Sequence, residues 1–125
     1  MSIKHYNFEN LPKGGPYSHG IEANGFLFIS GIIPIDTTKN LVIQDDITKA
    51  TELILNNIKA IIEGAGSNMQ NIVKVTVYLK DMQHFQLMNE IYKKFFPSNP
   101  PARTCIGVFD LPAGAPIEID AIAIR

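Results

Sequence analysis

A chain of 125 residues and 13.8 kDa is long enough for one domain, residues 1–125, burying roughly two thirds of its unfolded surface without a disulfide or structural metal. With 46% hydrophobic and 18% charged residues it has the composition of a globular protein. Its formal charge of -1, with eleven Lys and Arg scattered among twelve Asp and Glu, disfavours a nucleic-acid binder that works through phosphates. The lone cysteine, Cys105, has no internal disulfide partner and suits a reducing compartment. The first residues lack the basic start and apolar run of a secretory signal, and no apolar stretch is long enough to span a bilayer. The expectation is a cytoplasmic protein with no membrane partner.

In chain order, residues 21–30 place Asn24-Gly25 between two apolar arms, a hairpin signal because both turn residues must accept positive φ. From Asp45-Asp46 the period changes. Ile47, Ala50, Thr51, Ile54, Ile58, Ile61 and Ala65 recur at helical spacing, the acidic pair caps the start, and Gly64 or Gly66 ends the helix. Residues 71–80 are rich in β-branched side chains and predict a strand with Val73, Val75, Val77 and Leu79 on one face. A second helix is expected from an Asp81 N-cap to Phe96, with Phe85, Met88, Tyr92 and Phe95 as its stripe and Pro97 as its stop. Two strands follow, one forced into extended backbone by Pro100-Pro101 and one formed by the last residues, IEIDAIAI. The economical architecture is α+β, with helices layered on a sheet.

The last two strands carry further information. Arg103, Cys105 and Gly107 share one face of their strand, opposite Thr104, Ile106 and Val108. In the final strand Ile117, Ile119, Ala121 and Ala123 oppose Glu118, Asp120, Ile122 and Ile124. Both faces are partly apolar, which predicts that a partner subunit covers the face without helices. The carboxylates and an arginine are expected near that covered face.

Among chemistry-bearing residues, Arg103 has the planar fork for bidentate capture of a carboxylate; the alternative is an interface ion pair with Glu118 or Asp120. Glu118, between Ile117 and Ile119, is either an acid/base group with a raised pKa or a strand carboxylate facing water or Arg103. Asn89 lies on the buried stripe of the second helix, where an amide ties down a loop or meets a ligand. Tyr17 and Ser30 sit beside Gly14, Gly15 and Gly31, where backbone can approach a ligand closely, although small polar residues there also serve turns. Cys105 lacks a cysteine-hydrolase signature and reads as a small buried residue. His5, His19 and His84 lack metal-ligand spacing, and Gly14-Gly15 is no phosphate loop, so neither metal nor other cofactor is expected.

Taken together, GGPYSHGIEANGFLFISGIIPID, GAGSNMQNIVKVTVYLKDM, MNEIYKKFF, PPARTCIGV and IEIDAIAIR resemble the reactive intermediate deaminase family, RidA or YjgF. They cover nearly the whole chain, and PPARTC, SG-x-IP and IEIDAIAIR are the most specific. The resemblance implies a chorismate-mutase-like α+β domain, a mixed sheet with two helices on one face, assembled as a homotrimer with active sites between subunits. It implies hydrolysis of 2-imino acids such as 2-iminobutanoate and 2-iminopropanoate to 2-keto acids and ammonia. Tyr17, Ser30, Asn89, Arg103, Cys105 and Glu118 match the family's cleft positions: Arg103 would bind the substrate carboxylate, backbone around Cys105 would help hold it, and Glu118 would position or activate water. Five positions depart from the family's usual residues, namely His19, Gly20, Ile32, Gly107 and Phe109, and these bear on the pocket's side-chain preference. A non-catalytic keto-acid-binding trimer and an RNase or translation inhibitor are the competing readings.

Overall fold

The computed structural model describes residues 2–125. Six strands form one sheet, β1 (Ile3–Tyr6), β2 (Gly20–Ala23), β3 (Phe26–Ile32), β6 (Ile72–Leu79), β7 (Ala102–Gly107) and β8 (Ile117–Ile124), in the spatial order β1-β2-β3-β8-β6-β7. A small separate hairpin joins β4 (Ile35–Asp36) to β5 (Leu41–Val42). All neighbours in the large sheet are antiparallel except β6 and β7, whose parallel pairing is made possible by the crossover through a helix, α2 (Phe85–Phe95). The fold is therefore α+β, as the sequence pattern predicted, with the mixed sheet that the family resemblance implied. Strand β1 and the β4–β5 hairpin were not anticipated, being short and without period-two alternation.

Local chemistry explains the main elements. Asn24 and Gly25 both take positive φ, 55° and 80°, and close the β2–β3 hairpin in the register Ala23 opposite Phe26. Helix α1 (Ile47–Gly64) begins where the Asp46 carboxylate accepts a hydrogen bond from the Lys49 N–H at 3.0 Å. It ends at Gly66, whose φ of 86° lets the Gly66 N–H donate to Glu63 C=O and the Ser67 N–H donate to Ile62 C=O. Asp81 caps only a single tight turn, Met82–His84, and the second helix proper starts at Phe85, three residues later than an Asp81 N-cap would place it.

Both helices lie on one side of the sheet. Leu27, Ile29, Val75, Val77, Ile117 and Ile119 face the buried side of α1, from Ile47 through Ile54 and Ile58 to Ile62. Removing such side chains from water supplies roughly 1.5–3 kcal/mol each, which is why the helical stripe and the strand alternation coincide. The opposite face is uncovered: Phe26, Phe28, Ile106 and Ile124 are between 42% and 44% exposed there. The doubly apolar alternation read in β8 is present, with Ile117 to Ala123 buried and Glu118, Asp120 and Ile124 on the other side.

Two bulges shift the alternation. In β6 an extra residue between Ile72 and Lys74 turns Val73 outward, to 42% exposure, and Ile72 takes the buried place expected for Val73. In β3 the register against β8 shifts between Ile29 and Ile32, so that Ser30 and Gly31 both stand opposite Asp120. Alternation that had turned Leu27 and Ile29 to the core resumes at Ile32, one residue late.

Candidate functional site

The six residues singled out by sequence fall into two groups of three. Tyr17, Ser30 and Glu118 line one cleft of about 590 Å³, together with Gly31, Ile33 and Val42. Asn89, Arg103 and Cys105 gather at the contact between α2 and β7.

The first group is assembled by backbone. The Ser30 N–H donates to His19 C=O at 3.1 Å, and the Ser30 hydroxyl donates to Ser18 C=O at 2.6 Å. The Gly14 N–H donates to the Tyr17 hydroxyl at 2.9 Å, and the Tyr17 ring lies over Gly15, so the phenol covers the glycine pair and keeps its own proton for another acceptor. Behind these residues His19 is 1% exposed. Its Nδ1 accepts from the Phe8 N–H, which leaves the proton on Nε2 to donate to Pro12 C=O, both at 3.0 Å. Sequence reasoning treated His19 as a possible influence on pocket preference. It is a buried tie between the N-terminal segment and the loop carrying Tyr17, and Ile32 is likewise a core residue, 5% exposed.

Glu118 is half-buried, and burial raises its carboxyl above the ordinary glutamate range, with the nearby charge of Asp120 adding to the effect. Asp120 is itself anchored, accepting from the Tyr78 hydroxyl at 2.9 Å, and that bond is the main reason the Tyr78 phenol is raised. Tyr78 stands in register with Glu118 and reaches diagonally to Asp120.

The second group is assembled by side chains. Arg103 Nη1 donates to Asn89 Oδ1 at 2.8 Å, and the guanidinium carbon lies 4.7 Å from the centre of the Tyr92 ring and 5.7 Å from that of Phe85. Met88 Sδ is 3.9 Å from the same nitrogen. Asn89 thus does what a half-buried amide on that stripe must, finding a partner. Tyr92 and Phe85, expected only as packing residues, are also the faces on which the cation rests. Burial pushes the Tyr92 phenol up to about 12, against an opposing pull from Arg103. Burial also raises the Cys105 thiol, more than Arg103 lowers it, so Cys105 has no thiolate character and fits a packing or positioning role.

One expectation is overturned. Arg103 pairs with Val75, a buried helix-side residue, whereas Glu118 pairs with Tyr78, which stands opposite Ile106 on the uncovered side. The arginine and the carboxylates are on opposite faces of the sheet. Among the described residues Arg103 makes no ion pair; the two pairs there are Lys80–Asp110 and Arg125–Glu22. The reason is register, since the parallel β6–β7 pairing turns odd-numbered β7 residues toward α2 while β8 turns its even-numbered residues away.

Residues 9–125 match the family model described as Endoribonuclease L-PSP. A RutC family protein of Pyrococcus horikoshii is 49% identical over 118 residues, 94% of each chain. Among solved structures, a protein of unknown function of the conserved Rid family, YyfA of Yersinia pestis, superposes with a TM-score of 0.94 at 36% identity, covering 99% of this chain and 100% of its own. E. coli TdcF with bound serine superposes with a TM-score of 0.90 at 35% identity, covering 98% of each.

Proposed function

The chain belongs to the RidA/YjgF family, and from that premise we propose that it is a cytoplasmic homotrimeric deaminase that hydrolyses reactive 2-imino acids, 2-iminobutanoate and 2-iminopropanoate among them, to 2-keto acids and ammonia. The observation that carries the reading is the setting of Arg103. Its guanidinium is held by an amide oxygen, two aromatic faces and a thioether, all neutral, with no carboxylate among the described residues in ion-pair reach. The charge is therefore left for a ligand carboxylate, which the fork takes bidentately.

Because Arg103 and Glu118 occupy opposite sheet faces, a working site needs the arginine half of one subunit and the carboxyl half of the next. The apolar side chains left on the uncovered face supply the surface for that assembly. With the substrate carboxylate on Arg103, the imine carbon faces Glu118, whose carboxylate takes a proton from water as the water oxygen bonds to that carbon and the C=N π pair moves to nitrogen. Glu118 then returns the proton to the carbinolamine nitrogen. The C–N bond breaks as the hydroxyl oxygen forms C=O and gives its proton to Glu118, which passes it to the departing ammonia. Tyr17 and Ser30 wall the cleft, and Cys105 with its backbone helps seat the substrate.

The test is ammonia or keto-acid release from freshly generated 2-iminobutanoate and 2-iminopropanoate. Catalysis well above buffer supports the deaminase, and none would overturn it. The serine bound to TdcF favours a second reading, a trimer that holds amino or keto acids without turnover. Calorimetric binding of 2-oxobutanoate without any ammonia release would select that one. RNA cleavage, the activity in the family model's description, draws no support from a chain of net charge -1 with dispersed basic residues.

A further inference from the structure

We infer that Gly31 is a positioning residue for Glu118: the missing side chain at position 31 is the seat across which the glutamate lies on its way into the cleft. A methyl group built on Gly31 would meet Glu118 Oε2 far inside van der Waals contact, with Cδ at 3.0 Å and Cγ at 3.3 Å, and these three nearest atoms all belong to Glu118. The requirement is not one of backbone freedom, because Gly31 is not among the glycines with positive φ. An alanine can adopt the backbone that Gly31 has. What its methyl meets most closely, and must displace, is the end of one flexible side chain, that of Glu118.

The bulge explains how this contact arises. Regular alternation along β3 would turn residue 31 into the core beside Leu27 and Ile29; the extra residue opposite Asp120 keeps it on the cleft side, one strand away from Glu118. Glu118 is thereby pressed against main chain on one side and open to the cleft on the other, and the close packing contributes to the burial that raises its carboxyl. The other titratable groups around it are Asp120 on its own strand, Tyr78 from β6 and Tyr17 from the loop before β2.

The role rests on the deaminase reading only for its kinetic consequence, so the first readout is independent of turnover. In protein labelled with ¹³C at glutamate carboxyls, the Glu118 resonance, assigned by its loss in Glu118→Gln, should titrate at lower pH in Gly31→Ala than in wild type, as the displaced carboxyl reaches water. In the deaminase assay Gly31→Ala should lose about 100-fold in kcat with KM within about threefold, since misplacing a reacting group acts on the chemical step. If Gly31→Ala proves unstable, Gly31→Ala/Glu118→Ala should melt with Glu118→Ala. A Glu118 titration midpoint unchanged in folded Gly31→Ala, or a methyl as destabilising without the Glu118 side chain as with it, would overturn the assignment. A wild-type protein without deaminase activity but with a shifted titration in the variant would leave Gly31 in its role and remove only the proposed reaction.

Discussion

Arg103 is held by side chains projecting from α2, namely an amide oxygen that accepts its hydrogen bond and two rings over which the cation rests, so its position depends on several separable contacts. Glu118 is held by main chain: a bulge in β3, a glycine without a Cβ, and a loop tied down through Ser30 and His19. The difference follows from what each group must keep. A guanidinium resting on π faces keeps its charge and its free donors, whereas a carboxyl gains basicity by losing water, which close packing against backbone provides. The arginine half should therefore degrade stepwise under substitution, and the carboxyl half abruptly.

The largest effect should come from removing either charged group. Arg103→Ala and Glu118→Gln should each lose about 1,000-fold in kcat/KM. Because each variant lesions only one half, refolding the two together at equal amounts should restore about a quarter of wild-type activity through mixed trimers. Recovery of nothing would break the idea that the halves come from different subunits. The pH–rate profile sharpens the contrast further. Glu118 acts as a base only when ionised, and a raised pKa means it becomes protonated early as the solution is acidified. The acid limb of kcat/KM should therefore lie above the ordinary glutamate value, falling about tenfold for each pH unit below it.

A smaller effect tests the backbone half from behind. His19→Ala strands the Phe8 N–H and the Pro12 C=O and should cost about 2 kcal/mol in thermal or denaturant unfolding. His19→Gln, whose amide both accepts and donates, should lose less. The smallest effect belongs to the arginine half: Asn89→Ala removes one of the Arg103 contacts and leaves the rings, raising KM about tenfold with the melting temperature little changed.

Much of this architecture was legible in the residues. Asn24-Gly25, Asp46 and Gly66 are local signals, and each marks the turn or helix end it should. Val73 was misread because a bulge is a property of two strands in register and leaves no trace in the period of one. The same blindness hid the contact between Gly31 and Glu118 and put Arg103 on the wrong side of the sheet. Period two assigns faces within a strand but does not say which face meets the helices. Asn89 was readable as a polar residue needing a partner on a buried stripe, but not that the partner would be Arg103, fourteen positions away. Residue chemistry offered the six candidates and the family resemblance joined them in one cleft; the fold divides them into two halves.

The order of strands has a consequence in time. β8, the last strand in chain order, lies between β3 and β6. Until it inserts, the β1–β2–β3 meander and the β6–β7 pair each expose a long unpaired edge, and Glu118 has no bulge to lie against. Joining them closes a loop of nearly a hundred residues between Phe26 and Ile124, the kind of distant pairing that slows folding and leaves intermediates open to edge-to-edge aggregation. Refolding should thus be governed by a late, concerted step in which sheet closure and completion of the carboxyl half are one event.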